Sequence, residues 1–252
     1  MADIVLSRMY VGSAGWSIPL VLASSFDTGG THLQRCARHL TCVEINSSFY
    51  RPHAAATYAR WATSTPRGFR FAVKLPRTIT HELELRRARR PFEQFLSDTG
   101  GLGERRGPLL VQLAPSFAFD RRVVEAFLAM VRARYDGPLA CEPRHPSWFT
   151  PAAERLLTRH RVARVAADPA RAPDAERPGG WKGLVYFRLH GSPHLYWSSY
   201  DTPRLEAIAS AIREQAAATE VWCVFDNTAG GAAMRNACEL QTLLASRTRV
   251  TA

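Results

Sequence analysis

The chain has 252 residues, 46% of them hydrophobic, and a formal net charge of +11. That length suits one large α/β barrel of about 250 residues or two domains of roughly 125, and the apolar content argues against a disordered chain. No run approaches the ~20 apolar residues of a membrane helix, and the opening MADIVLSRMYVG lacks the basic and apolar regions of a signal peptide, so a cytoplasmic location without a membrane partner is expected.

Short β-type runs alternate with helical stretches. Tyr10–Ser13 reads as the first strand, followed by a Gly/Ser-rich loop and a helix near Thr31–His39. Cys42–Asn46 is the second strand, with a helix around Ala54–Ala62; Arg70–Leu75 is the third, and Leu109–Leu113 the fourth, introduced by Gly107-Pro108. From Asp120 to Arg132, Val124, Phe127, Leu128 and Val131 recur at helical spacing, with Asp120 as N-cap. Leu139–Arg144 is the fifth strand, with a helix over Ala152–Arg159. Val162–Ala167 is the sixth, but the Pro/Gly-rich DPARAPDAERPGG after it makes an irregular or missing sixth helix the expectation. Leu184–His190 and Val221–Phe225 are the seventh and eighth strands. Helices follow over Arg204–Ala217 and through Met234, Ala237, Gln241 and Leu244.

Eight strands joined by helical crossovers predict a single (β/α)₈ barrel domain over residues 1–252, of the TIM type. No GxGxxG or GxxxxGK[ST] run follows a strand, which weakens a nucleotide-binding alternative. The odd set Cys36, Cys42, Cys141, Cys223 and Cys238 has no CxxC pair and reads as buried reduced thiols.

In such a barrel the active site lies at the C-terminal strand ends, and residues two apart share a face. Strand two then turns Cys42, Glu44 and Asn46 inward, strand three Ala72 and Lys74, strand four Leu110 and Gln112, and strand five Ala140, Glu142 and Arg144. Strand six turns in Ala166 and Asp168, strand seven Tyr186, Arg188 and His190, and strand eight ends in Asp226 and Asn227. A small or apolar residue lies deep and a polar one near the mouth, strand after strand. Charges inside a barrel are costly unless paired, so the repetition predicts a collective polar pocket.

Segments GSAGW (12–16), VEINSSFY (43–50), VKLPRTITH (73–81), QLAPSF (112–117), EPRHPSW (142–148), RLHG (188–191) and FDN (225–227) run through nearly the whole chain. In that order they resemble the bacterial domain-of-unknown-function 72 family, also called YecE-like. The resemblance implies a TIM barrel whose reaction has no settled assignment. The chain departs from the family pattern at Ala14, in place of Ser, at Pro143, in place of an aromatic residue, and at Asp226, in place of Asn.

Glu44, Glu142 and His190 are the catalytic candidates, as acid/base groups. The alternative is that the two glutamates only pair with Lys74, Arg144 or Arg188 to hold the mouth together. Lys74, Arg144 and Arg188 would cradle a phosphate or carboxylate, or Lys74 could form a Schiff base. His81 and His145 read as structural hydrogen-bonders. Asn46, Gln112, Asp168, Asp226, Asn227, Trp16 and Tyr50 complete the expected substrate contacts. Among the loop aromatics, Trp148, Tyr196, Trp197 and Tyr200 would either stack on a ligand or pack the loops. No cofactor is predicted. A divalent metal on Glu44, Glu142, Asp168 and His190 is conceivable from ligand chemistry, although no HExxH-like spacing supports it and the neighbouring cations oppose it.

The expectation is an enzyme, a hydrolase, lyase or isomerase, acting on a small anionic substrate, phosphorylated ones included. Two alternatives stay open. One is a nucleic-acid-binding protein or metal-dependent nuclease, suggested by the net charge. Against it, lysine occurs only at positions 74 and 182, and the arginines are scattered, the densest group being Arg86, Arg87, Arg89 and Arg90. The other alternative is a non-catalytic scaffold. Oligomeric state is not legible.

Overall fold

A computed structural model of the chain describes residues 9–246. The residues 1–8 on which part of the leader reading rests lie outside that range.

Ten strands form one sheet: β1 (Met9–Ala14), β2 (Cys42–Ile45), β3 (Arg70–Lys74), β4 (Arg106–Gln112), β5 (Leu139–Glu142), β6 (Val162–Arg164), β7 (Ala166–Asp168), β8 (Gly179–Gly180), β9 (Leu184–Leu189) and β10 (Glu220–Phe225). Their order is β7-β9-β10-β1-β2-β3-β4-β5-β6-β8, parallel except for β8 on β6. β6 and β7 are halves of one strand broken at Val165. The first half pairs with β5 and the second with β9, so the chain itself closes the barrel at this point. Val165 bridges the halves, its N–H donating to Cys141 O at 2.8 Å. The result is a TIM-like barrel of eight staves.

Among the described residues seven α-helices accompany the strands: α1 (His32–Cys36), α2 (Ala55–Thr63), α3 (Arg89–Thr99), α4 (Arg121–Arg132), α5 (Pro151–Arg159), α6 (Thr202–Ala216) and α7 (Ala232–Ser246). Asp120 caps α4 as expected, its Oδ1 accepting from the N–H groups of Arg122 and Val123, and Val124, Phe127, Leu128 and Val131 are the buried stripe. α3 has no counterpart in the sequence reading. Its charged opening and Pro91 in the first turn mask a short apolar face of Phe92 and Phe95. Between β7 and β9 there is no helix. The two glycines of β8 lie antiparallel on β6 instead, in keeping with the Pro/Gly content there.

Two apolar layers follow from strand alternation. Outward residues such as Val43, Ile45, Val73, Leu109 and Phe187 pack under the helices. Inward residues Cys42, Ala72, Leu110, Ala140, Ala163, Val165, Tyr186, Trp222 and Val224 fill the barrel. Trp222 stacks on Tyr10 at 4.6 Å and lies parallel to Tyr186 at 6.2 Å, plugging the lower barrel. Gly107 makes room for it, since a Cβ there would come within 2.4 Å of the indole. All five cysteines are free thiols, four of them buried. No helix among the described residues is long and apolar enough to cross a membrane.

Candidate active site at the barrel mouth

Above the apolar plug, the inward positions turn ionic. Glu44, Lys74, Gln112, Glu142, Arg188, His190 and Asp226 all meet at this level, each buried. The centre is Arg188, which is fully buried. Its Nη2 donates to Glu44 Oε1 at 2.7 Å and its Nε to Glu44 Oε2 at 3.1 Å, a two-pronged pairing, while Nη2 also reaches Asp226 Oδ2 at 3.0 Å. Its Nη1 donates to Glu142 Oε2. Tyr186 completes the Glu44 shell by donating its hydroxyl to Oε2 at 2.8 Å. One guanidinium thus holds three carboxylates from three staves, and its planar fork is what lets it do so.

Glu142 also accepts from Gln112 Nε2 at 3.1 Å, from Arg144 Nε at 3.3 Å and from His190 Nε2 at 3.0 Å. The other ring nitrogen of His190 meets Asp226 Oδ2 at 3.1 Å. With a carboxylate on each side, both nitrogens must donate, so the ring is an imidazolium. Burial alone would discharge it, but Glu142 and Asp226 outweigh burial and raise its pKa. Burial likewise works against the Glu142 and Asp226 carboxylates, yet Arg188 and His190 hold both below their ordinary values, that of Glu142 well below.

Lys74 is the exception. Its Nζ lies 4.1 Å from the centroid of the Phe49 ring and has no hydrogen-bond or ion-pair partner among the described residues. Burial first, and the Arg188 charge second, push its pKa down to about 8 against the opposing pull of Glu44, Glu142 and Asp226. Ser48 Oγ secures this strand end by donating to Lys74 O at 2.6 Å.

The sequence-predicted set is therefore brought together for Glu44, Lys74, Gln112, Glu142, Arg144, Arg188, His190 and Asp226. Of the two readings of the glutamates, the geometry shows the pairing one: both sit on Arg188, and Glu142 also on Arg144, whereas Lys74 stays unpaired. The metal reading meets the same obstacle. Arg188 occupies the space among the carboxylates, and no group of three or more His, Cys, Asp or Glu among the described residues is arranged to hold a metal ion. Arg188 is not placed to clamp a ligand either, being fully buried behind its own carboxylates.

Asp168 is a correction. It faces the helices, pairing with Arg204 on α6 at 3.0 Å, because Ala163 and Val165 are the inward residues of this stave and a one-residue change of phase reverses every side chain. In the run VARVAA the inward Ala163 and Val165 carry no polar mark, while the charged Arg164 lies on the outward face with Asp168 and pairs with Glu154, so the phase is hidden. Asn227 is also placed structurally, with its Nδ2 donating to Ser198 O at 2.9 Å and to Asn236 Oδ1 at 3.0 Å. Asn46 ends β2 with its Oδ1 buried and without a partner.

Of the aromatics, Trp16 packs edge-on against Trp61 at 4.9 Å, and Tyr50 and Trp197 are exposed. Trp148 is buried and donates to Phe117 O at 3.0 Å. Tyr200 is buried and accepts from Gly191 N at 2.9 Å. Tyr196, held at φ 68°, covers His190 edge-on at 5.6 Å, and its hydroxyl accepts from Arg144 Nη2 at 3.4 Å. His81 bonds Thr80 Oγ1 at 2.9 Å and His145 bonds Ser147 Oγ at 2.9 Å, as local hydrogen-bonders. Tyr186, Phe49, Arg204 and Asn236 were missing from the expected set. Only the inward phase of the seventh strand points to Tyr186, and nothing in the sequence points to the other three. The densest arginine group does not line the mouth. Arg86, Arg87 and Arg89 border a separate groove of about 400 Å³ with Arg122, Val123, Phe127 and Met130, and Arg86 and Arg89 are paired with Asp120 and Glu93.

The charge state of this centre gives a pH signature. The His190 pKa is raised on folding, so its contribution to stability is complete below the ordinary histidine value of 6.5 and fades as pH rises through the folded value. Glu142 and Asp226 act oppositely: their contribution is present above their ordinary values of 4.5 and 3.8 and is lost as pH falls through the depressed ones. Urea unfolding of wild type and His190→Gln should show a stability gap that is larger at pH 6 than at pH 9. A gap that widens towards pH 9 would contradict the imidazolium assignment.

A TIM-like barrel with a polar, charge-paired mouth is the class of protein that fold and site define. The family model described as "Protein of unknown function DUF72" matches residues 10–252, and the chain belongs to that family. It is 31% identical over 176 residues to the UPF0759 protein YecE of Escherichia coli (strain K12), covering 68% of this chain and 62% of that protein. It is 29% identical over 150 residues to the UPF0759 protein YunF of Bacillus subtilis (strain 168), covering 57% and 53%. The chain thus matches somewhat under two thirds of the length of these relatives. A DUF72 family protein of Thermotoga maritima superposes with a TM-score of 0.78 at 25% identity, covering 95% of this chain and all of that one. One from Enterococcus faecalis gives 0.78 at 23%, covering 94% and 95%.

Proposed function

We propose that this DUF72 barrel is an enzyme that performs acid/base chemistry on a small anionic substrate at the C-terminal mouth of the barrel. The observation that carries the reading is the mismatch in partners. Every carboxylate of the centre is committed to a cation, whereas among the described residues Lys74 has no anion of its own and Arg144 makes two long contacts at 3.3 and 3.4 Å. Two cations lacking full counter-ions in a buried site are a place for a carboxylate or phosphate.

In this reading Lys74 and Arg144 receive the anion. His190 holds the proton, kept in place and charged by Glu142 and Asp226. Glu44 and Arg188 form the rigid floor, since both Glu44 oxygens are filled and neither residue is exposed. That revises the roles expected from sequence, where Glu44 was an acid/base group and Arg188 an anion clamp.

Thermal unfolding with inorganic phosphate, phosphosugars and small carboxylates tests the reading. A ligand at a hundred times its Kd should stabilise the fold by about 2.7 kcal/mol, and Lys74→Ala and Arg144→Ala should abolish the shift. With a substrate in hand, Glu142→Gln should lower turnover at least about a hundredfold, the lower range for loss of proton-transfer assistance. Unchanged turnover would refute these roles. A shift produced only by oligonucleotides and lost at high salt would replace this reading with nucleic-acid binding.

A further inference from the structure

We propose that Lys74 is a covalent nucleophile, which condenses through Nζ with the carbonyl carbon of a small 2-oxo acid to form an iminium. The proposal deepens the anionic-substrate reading and rests on it.

Three observations lead there. The first is the isolation of the amine. Among the described residues Lys74 Nζ has no hydrogen-bond or salt-bridge partner and lies over the face of Phe49, so nothing locks its lone pair or its proton into the fold. The charged groups that act on it are Glu44 from β2, Glu142 from β5, Arg188 from β9 and Asp226 after β10, while His81, packed edge-on to Phe49 at 5.0 Å, feels the lysine charge in return. The three carboxylates are tied to Arg188, which spends their charge and leaves the desolvated amine poorly compensated. Its pKa of about 8 follows from that arrangement, and a desolvated lysine beside another cation is the usual setting for an amine nucleophile.

The second is Arg144. Its guanidinium makes only long contacts, at 3.3 and 3.4 Å, and offers planar recognition for the carboxylate of a 2-oxo acid. The third is Asn46. It follows β2 one step beyond the Ile45–Val73 pair, where the chain turns into a 3-10 helix, and its Oδ1 is buried without a donor. A buried carbonyl oxygen left unsatisfied is costly. A bound hydroxyl is a partner of the kind this oxygen lacks.

The step balances without a cofactor. The ammonium of Lys74 loses a proton, and the amine attacks the carbonyl carbon as the carbonyl π bond opens. The attacking nitrogen gives up a second proton, which the oxygen takes up to become the carbinolamine hydroxyl. The C–O bond then breaks, the hydroxyl leaves with the released proton as water, and the nitrogen lone pair completes the C=N bond. Overall, ammonium and carbonyl give iminium and water, with no oxidation and no net proton.

The chain carries an internal control. Lysine occurs only at positions 74 and 182, and Lys182 is exposed. Full-length protein would be incubated at pH 7 with glyoxylate or pyruvate, with and without sodium borohydride, and read by intact mass and peptide mapping. A pKa of about 8 instead of the ordinary 10.5 makes the free amine about 300-fold more abundant at Lys74 than at an unperturbed lysine. The expected result is one reduced adduct on the Lys74 peptide. It should need both reagents, persist in Lys182→Arg and vanish in Lys74→Arg. Its rate should rise up to about pH 8 and level off above. Labelling confined to Lys182 or the terminal amine, or none at all, would overturn the proposal. If phosphate or carboxylates still raise the melting temperature in a Lys74-dependent way, only the covalent step is refuted. If that shift is absent too, the anion-site reading falls with it.

Discussion

Replacing Arg188 with Met should destabilise the protein by about 3–5 kcal/mol, the range for removing one partner of a buried ion pair, and leave it close to unfolding given total stabilities of about 5–15 kcal/mol. The reason is what stays behind. Glu44, Glu142 and Asp226 would remain inside the barrel with their common counter-ion gone. Each would have to take up a proton or drag in water. Lysine would not substitute, because a single ammonium cannot reproduce the fork that meets both oxygens of Glu44 while reaching two further carboxylates. Chemical denaturation of Arg188→Met and of the double variant Arg188→Met/Glu44→Gln checks the account. The double variant should recover part of the loss, since it removes one of the stranded charges. If Arg188→Met stays within about 1 kcal/mol of wild type, an ordinary surface-like effect, the centre is not held by this guanidinium.

Replacing Lys74 with Met should do the opposite and stabilise the fold. A base whose pKa is depressed on folding is held in an environment that disfavours its charged form. The penalty is therefore complete below the folded value of about 8 and disappears as pH rises towards the ordinary 10.5. A difference of about 2.5 units corresponds to an upper limit of about 3 kcal/mol at pH 7, offset in part by loss of the contact with Phe49. The gain measured by urea unfolding should shrink between pH 8 and pH 10.5. A neutral or destabilising Lys74→Met at pH 7 would mean that the ammonium is compensated by partners in solution. Two cations of one mouth thus have opposite effects on stability. Arg188 holds the barrel together, and Lys74 is carried at a cost that packing alone does not explain. A group kept against its own stability is the usual mark of a site under selection for chemistry.

Much of this was readable in the sequence. Strand alternation placed Glu44, Lys74, Gln112, Glu142, Arg188 and His190 on one face at one level, because an inward residue of a parallel barrel strand has a fixed two-residue period and polar residues stand out against Cys42, Ala72, Leu110 and Ala140. The same rule failed on VARVAAD. The inward residues Ala163 and Val165 of that stave carry no polar mark and its outward face carries Arg164, so polarity does not mark the mouth there, and Asp168 faces Arg204 instead. Helix α3 is hidden for a similar reason: Arg89, Arg90 and Pro91 mask the apolar pair Phe92 and Phe95, which only the packed helix buries.

The length, the eight βα units and the motif order from GSAGW to FDN determined the barrel and pointed to its mouth as the candidate site, since periodicity and chain order are local properties that survive without coordinates. Which charge meets which was decided only by the closed barrel. Glu44 and Arg188 are 144 positions apart, and Glu142 and His190 are 48 apart. Closure through β6 and β7 brings them within hydrogen-bonding distance, and pairing at that distance is what commits Arg188 to the floor, makes His190 an imidazolium and leaves Lys74 alone.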